Sequence, residues 1–246
     1  MEKKLIELES TDSTNRYLID MAKEGAPCGT TVWAHRQTGG RGRLGRSFSS
    51  PTGGIYISFL LPLPNNLLDN LLDVGFSLTA MAGVAVKRTI WQVCGKDSGI
   101  KWVNDVMLDG KKVSGILAQV VMDKVVIGIG INYNTPEEDF PPKVRHIATS
   151  IYSKGQEAPP MAEFVKKLTE NIYTVCSGSD KNWLKEYKDS STIVGNKVQI
   201  IQAGKIVGEG LATSIDDRCF LHVIDDDGNE IVLSTGEVSI RQEGRV

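Results

Sequence analysis

Apolar positions along this chain change period several times, and each change marks an element. In STNRYLIDMAKEG (13–25), Tyr17, Leu18 and Met21 recur at helical spacing between a Ser/Thr cap region and a glycine stop, which predicts an early helix. TTVWAHRQ (30–37) and GGIYISFLLPLP (53–64) are β-branched and aromatic instead, and predict strands, the second ended by prolines. From about Leu67 to Val93 the helical period returns with small residues, as in LTAMAGVAVKRTI, predicting a buried helix with Lys87 and Arg88 on its outer face. The run from Ile100 to Asn134 predicts three strands, turning first at Asp109-Gly110 and again, more tightly, at Met122-Asp123-Lys124. Helices follow over Met161–Thr174 and near Trp183–Lys188.

The texture changes near Gly195. Short alternating runs separated by AGK, IDDR and DDDGN contain no helical stretch and predict a small five-stranded, SH3-like β-barrel. The expected organisation is therefore α+β: residues 1–190 form a mixed, mainly antiparallel sheet with packed helices, and residues 191–246 a small C-terminal β domain.

Composition narrows the function classes. The chain has 246 residues, 41% hydrophobic and 24% charged, with net charge −2, so no whole-protein attraction to nucleic acid or membrane is expected. Any strong anion site must be local. Cys28, Cys94, Cys176 and Cys219 are scattered without metal-ligand or CxxC spacing, as expected of reduced thiols in a cytoplasmic protein. The charged start MEKKLIELES has no apolar core of a signal peptide, and no run approaches the roughly 20 apolar residues of a membrane span.

Three segments carry candidate chemistry. GGRGRLGR (39–46) packs Arg41, Arg43 and Arg46 among four glycines, which let the backbone approach a ligand closely while the guanidinium forks match carboxylate or phosphate. It fits neither the Walker A pattern nor GxGxxG, so a solvated basic loop or a nucleic-acid backbone contact stand beside the anion-loop reading. KWVNDVMLDGKK (101–112) brings Lys101, Asn104 and Asp105 near Lys111 and Lys112 across a predicted hairpin, where exposed charge is the plainer alternative. Asn104 and Asp105 are poor strand formers, so something must compensate for them. In DSTN (12–15), Ser13, Thr14 and Asn15 suit helix capping, and equally a small polar ligand at a helix N-terminus. His35, His146 and His222 fall into no catalytic arrangement.

DSTN, RQTGGRGRLGRSFSSPTGGIYIS, KWVNDVMLDGKKVSGILAQ and GIGINYN occur in that order, and together they resemble the biotin–protein ligases (biotin–[acetyl-CoA-carboxylase] ligases) over essentially the whole chain. The tail ending STGEVSIR resembles that family's small C-terminal domain. The resemblance implies a class II synthetase-like ligase domain that activates biotin with ATP and Mg²⁺ to biotinyl-5′-adenylate, then transfers biotin to a lysine of a biotin carboxyl carrier protein. It implies biotin contacts at Ser13, Thr14, Asn15, Gln37, Gly40, Arg41, Gly42, Arg43, Lys112 and Gly115. It further implies ATP contacts at Arg43, Arg46, Lys101, Asn104 and Asn132, and catalytic roles for Lys112, Arg43, Lys101 and Asp105. Asp105 is also the implied metal contact. The glycine–arginine loop would admit substrates while mobile and order around them.

Two departures stand out: the family usually carries proline where Val103 stands, and commonly glutamate where Gln119 stands. Because DSTN begins at residue 12, a preceding helix-turn-helix domain, and with it DNA binding, is not expected. Pairing of exposed strands near Lys112–Gly130 would permit a homodimer. Lipoate–protein ligases share the fold and adenylation logic and remain an alternative, as does a non-catalytic ligand- or nucleic-acid-binding relative.

Overall fold

At Asp109 and Gly110 both φ angles are positive (50° and 76°), and Leu108 faces Lys111 across them, the backbone that a two-residue Asp-Gly hairpin demands. This hairpin belongs to the computed structural model of the chain, which describes residues 3–63, 71–202, 204–234 and 237–240. Seven strands, β1 (Lys4–Leu8), β2 (Thr30–Ala34), β3 (Gly54–Pro62), β4 (Gly99–Lys101), β5 (Asp105–Leu108), β6 (Lys111–Val121) and β7 (Lys124–Asn132), form one sheet. Its order is β1-β2-β3-β7-β6-β5-β4. Only β1 and β2 run parallel; every other pair is antiparallel.

Two strands lie outside the sequence expectations. The charged N-terminus supplies β1, an edge strand whose Lys4, Leu5 and Glu7 are exposed, so it lacks the apolar alternation that reveals a strand. The run from Ile100 yields four strands rather than three, because Trp102, Val103 and Asn104 form a turn between β4 and β5. The Trp102–Val103 peptide in that turn is cis. The second hairpin turns on Met122 and Asp123, with Val121 opposite Lys124.

Helix α1 (Thr14–Lys23) covers one face of this sheet; α2 (Leu71–Cys94) and α4 (Met161–Cys176) cover the other. The predicted first turn of α2, 67–70, lies outside the described residues, as do Thr235, Gly236 and Arg241 of the tail. The remaining helices are α3 (Pro142–Arg145) and α5 (Trp183–Asp189), whose Tyr187 is buried in the core shared with the second sheet. Arg88 does not face solvent as expected. It bridges α2 to Asp180 and to Glu186 of α5, with Nε 2.8 Å from Glu186 Oε2, and Lys87 is likewise half-buried, paired with Asp97 at 2.7 Å.

The second sheet comprises β8 (Lys197–Gln202), β9 (Lys205–Ile215), β10 (Leu221–Ile224), β11 (Glu230–Leu233) and β12 (Glu237–Ile240), all antiparallel in the order β11-β10-β9-β8-β12. It shares a core with the large sheet. The Phe76 ring of α2 stacks on Trp102 (centroids 6.1 Å apart) and meets Phe220 edge-on at 5.8 Å, while Trp102 Nε1 donates to the Cys219 carbonyl at 2.8 Å. No described helix is long and apolar enough to cross a membrane.

Phe76 is the hinge of that shared core. Phe76→Ala should lower stability by about 3–5 kcal/mol in urea unfolding, the usual cost of truncating a core aromatic. An unchanged unfolding midpoint would mean that the two sheets are joined some other way.

Candidate active site

The face of the large sheet beneath α1 has two halves. In one, Leu18 and Ala22 of α1 pack on Val32, Leu60, Val121 and Val126, and wholly buried Leu18 alone contributes about 2 kcal/mol. Where α1 begins, the sheet loses its side chains: Gly128 and Gly130 on β7, and Gly115 on β6, the last directly opposite Gly130. A cavity of about 420 Å³ opens there. Larger residues do not fit, because an added Cβ would collide with the Asn15 amide at Gly128 and with the Phe48 ring at Gly130. At Gly115 it would sit 3.0 Å from Lys112 Nζ.

One end of the cavity is neutral and hydrogen-bonded. Of the three residues expected to cap α1, only Ser13 does so, its Oγ accepting from Arg16 N at 3.4 Å. Thr14 and Asn15 are buried and point at the sheet instead. The Thr14 backbone N–H donates to Gln37 Oε1 at 2.8 Å, and Gln37 Nε2 donates to Ser50 Oγ at 3.0 Å. Ser58 Oγ on β3 lies 2.8 Å from Thr14 Oγ1 and 2.6 Å from Asn15 Oδ1. Asn15 Nδ2 donates to Gln119 Oε1 at 2.8 Å, so the amide of Gln119 supplies an acceptor that a glutamate there would also supply.

The other end is cationic. GGRGRLGR forms a small hairpin: Gly42 N donates to the Arg46 carbonyl (2.7 Å), Phe48 N to the Gly40 carbonyl (2.9 Å), and Arg41 bridges Ser47. Its tip places Leu44 and Gly45 at positive φ, 56° and 74°. Arg43 Nη1 reaches Asn104 Oδ1 at 3.3 Å, and its guanidinium lies 5.8 Å from the Phe76 ring centre. Asn104 is held in turn, Nδ2 donating to the Ile116 carbonyl at 3.2 Å; it lies in the turn between β4 and β5 rather than in a strand, so its poor strand propensity carries no cost. Lys112 Nζ pairs with Asp105 Oδ1 at 2.6 Å, both side chains half-buried. Segment 147–149 grips the Lys112 backbone from the far side: Lys112 N donates to Ile147 O at 2.7 Å, and Thr149 N to Lys112 O at 2.9 Å. Asn132 Nδ2 joins the same segment through Thr149 O at 3.0 Å.

Every residue expected at the site lines this one cavity except Gly40, which lines a neighbouring groove and supports the Ser50–Phe48 limb. Sequence reasoning missed Phe48, Trp102, the apolar wall of Phe140, Val144 and Ile147, and Ile201, Val238 and Ser239 from the small sheet. It also missed Ser58, although one hydroxyl amid the apolar run GIYISFLL was a visible signal; so was the alternating glycine of GIGIN.

Electrostatically the lining is lopsided. Arg41, Arg43, Arg46, Lys101 and Lys112 face Asp105, the one carboxylate among the described lining residues. No group of three or more His, Cys, Asp or Glu among the described residues could cage a metal. A Mg²⁺ ion commonly takes one or two carboxylates plus phosphate oxygens and waters, and Asp105 fits that modest requirement. Burial pushes the thiols of Cys176 and Cys219 up to about 12, so neither is a nucleophile near neutral pH. The arrangement suits binding a molecule with a neutral polar head, a slender middle and an anionic end, and stabilising further negative charge beside that end.

Comparison with known proteins agrees in fold and extent. Residues 7–132 match the Biotin/lipoate A/B protein ligase family, and residues 193–241 match the Biotin protein ligase C terminal domain. The bifunctional ligase/repressor BirA of Bacillus subtilis is 38% identical over 163 residues, covering 64% of this chain and 49% of that protein, so the match spans about half its length. A biotin–[acetyl-CoA-carboxylase] ligase of Mycobacterium tuberculosis is 29% identical over 235 residues, 93% of this chain and 85% of that one. Among solved structures, the biotin protein ligase from Aquifex aeolicus in complex with biotin and ATP aligns with a TM-score of 0.79 at 30% identity, covering 98% of this chain and 100% of that one.

The glycine floor makes a paired prediction. Gly128→Ala should destabilise the fold by about 1–3 kcal/mol, because Asn15 must leave its partners. Gly75→Ala, on α2 with nothing near an added Cβ, should stabilise it by about 0.5–1 kcal/mol. Thermal melts of the two variants check the contrast; equal shifts would remove the steric argument for the floor.

Proposed function

Because this chain belongs to the Biotin/lipoate A/B protein ligase family, we propose that it is an ATP-dependent biotin–protein ligase. It joins biotin to AMP with release of pyrophosphate, then passes the biotinyl group to a lysine of a biotin carboxyl carrier protein. The observation that carries this reading is the polarity of the cavity: amides and hydroxyls at one end, five cations at the other, bare glycine between. Biotin has the matching order of a neutral ureido ring, an unbranched aliphatic chain and a carboxylate. Lipoate, the nearest alternative, carries an apolar dithiolane where the wall offers Thr14, Asn15 and Gln37, and desolvating those groups against it would cost binding energy.

In the first step a biotin carboxylate oxygen attacks the α-phosphorus of ATP, and the bond to the β-phosphate oxygen breaks. Two anions must meet, so the task is positioning and charge stabilisation rather than nucleophilic help from the protein. Lys112, its backbone clamped on both sides, holds the carboxylate and the α-phosphate together. Arg43 holds the phosphate from the loop side, while Arg46 and Lys101 take the rest of the triphosphate. Asn104 keeps Arg43 in reach, and Asn132 with Phe140, Val144 and Ile147 borders the adenine. Asp105 would hold Mg²⁺, which neutralises phosphate charge when bound. In the second step a neutral acceptor amine attacks the acyl carbon, AMP leaves, and the amine gives up its proton. Asp105, already within reach of an ammonium at Lys112, orients the incoming lysine.

Ser13, Gly40, Arg41, Gly42 and Gly115 complete the biotin side of this reading. Residues 1–190 act as the catalytic domain and 191–246 as the small C-terminal domain. A cytoplasmic setting, with no role for DNA, belongs to the same proposal. So does a homodimer through β6, which β5 pairs only as far as Gly115.

Incubation with ATP, Mg²⁺, labelled biotin and a carrier domain, followed by mass measurement, should show the carrier heavier by one biotinyl group. ATP–pyrophosphate exchange should run with biotin and not with lipoate; the reverse preference would overturn the assignment. Lys112→Ala should cut exchange at least about a hundredfold in a folded protein. Near-parental exchange would remove Lys112 from its role. Arg43→Gly should release biotinyl-adenylate into solution faster than the parent, read by labelling of unrelated proteins.

A further inference from the structure

Lys96 does not line the cavity, yet it holds the far end of the segment that grips Lys112. It sits in the short connection between α2 and β4. Gly95, at φ 64°, turns the chain out of α2, its N–H donating to the Trp91 carbonyl at 3.0 Å. The next residue, half-buried Lys96, donates from Nζ to the Ile151 carbonyl and stands over the Tyr152 ring, 4.9 Å from its centre. The adjacent carboxylate, Asp97, pairs with Lys87 instead.

Residues 147–152 cross the start of β6 and the end of β7 and are bonded to both. Besides the two bonds to Lys112, Ile151 N donates to the Asn132 carbonyl at 2.9 Å and Tyr152 N to the Tyr133 carbonyl at 2.8 Å. Ser150 Oγ adds a bond to the Thr135 carbonyl at 2.7 Å. At one end of the segment Ile147 and Ala148 line the cavity. At the other, Ile151 and Tyr152 are buried, with the Tyr152 ring edge-on to Tyr133 at 5.3 Å. Among the described residues, the Lys96 ammonium is the only donor to the Ile151 carbonyl. A carbonyl left among those buried side chains without a donor is costly, and the segment must shift to hydrate it.

We propose that Lys96 is a positioning residue for the nucleotide: by fixing the Ile151 end of this segment, it sets where Ile147, Ala148 and the Asn132 amide stand. This rests on the ligase reading, which puts the adenine against that wall. Among the described residues, Thr14, Asn15 and Gln37 of the neutral end form no hydrogen bond with the segment, so the biotin ring is held independently of it. Lys96 thus acts on one substrate's site and not on the other's.

The test is steady-state ATP–pyrophosphate exchange on the full chain, varying ATP and biotin separately. Lys96→Met keeps an aliphatic stem over Tyr152 but loses the donor. It should raise KM for ATP at least about fivefold, with KM for biotin within about twofold. Lys96→Arg, which restores donor and charge, should bring KM for ATP back to within about twofold of the parent. Adenosine carries no phosphate, so its competition with ATP separates a displaced wall from a lost long-range attraction. It should compete about fivefold more weakly in Lys96→Met than in the parent. Should Lys96→Met fail to fold, Lys96→Gln, with a shorter and uncharged side chain, takes its place with the same expectations. Parental KM for ATP, a rise in both KM values together, or adenosine competition of parental strength would overturn the positioning role and leave the ligase reading intact. A parent chain that exchanges pyrophosphate with no biotin dependence would sink the ligase reading itself, and this proposal with it.

Discussion

Where α1 begins, three glycines replace side chains on one face of the large sheet, and the rest of the site is arranged around that bare patch. A sheet face must ordinarily be covered by side chains of its own or of a neighbour. Here Leu18 and Ala22 do that work up to the helix's first turn, and then stop. Gly115, Gly128 and Gly130 lower the floor by a side chain's height, and two polar side chains, Asn15 and Lys112, lie directly on it. The helix start therefore does two jobs. Its Ser13 caps the backbone, and its next two residues become the wall of a cavity.

The two ends of that cavity are built by different physics. At the neutral end, buried amides and hydroxyls saturate one another in a connected network, because a buried polar group without a partner is expensive. Such a network recognises by shape and by donor–acceptor sense. At the cationic end, several like charges converge, and at about 4 Å two of them repel by about 4 kcal/mol at an effective dielectric of 20. Part of that strain is relieved within the protein: Lys112 has Asp105, and Arg43 has Asn104 and the Phe76 face. The rest favours an anion.

How much of this was legible beforehand follows from what kind of signal each part leaves. The Asp-Gly turn, the α1 and α4 periods and the arginine loop rest on local rules, and the chain obeys them. The edge strand β1 left no signal because an edge needs little apolar alternation. Arg88 was read as exposed because a helical wheel cannot see Asp180 and Glu186 arriving from ninety residues away. The glycine–arginine loop was expected to order around its ligands; the hairpin bonds from Gly42 and Phe48 that shape its backbone leave no signal in its composition. Site residues grouped well because their motifs are dense, while Phe140, Val144 and Ile201 are ordinary apolar residues whose place is decided by tertiary packing alone.

The small sheet enters the same logic. Ile201, Val238 and Ser239 reach the cavity only because the sheet is anchored to α2 and to the turn between β4 and β5, through Phe76, Trp102, Phe220 and the Cys219 carbonyl. The anchor is the ring over which Arg43 lies. Moving the small sheet would therefore disturb a cation in the cavity as well as part of its wall. A tightly docked accessory sheet and a precisely held arginine are, on this geometry, one constraint rather than two: the aromatic cluster that joins the sheets also sets where positive charge stands when an anion arrives.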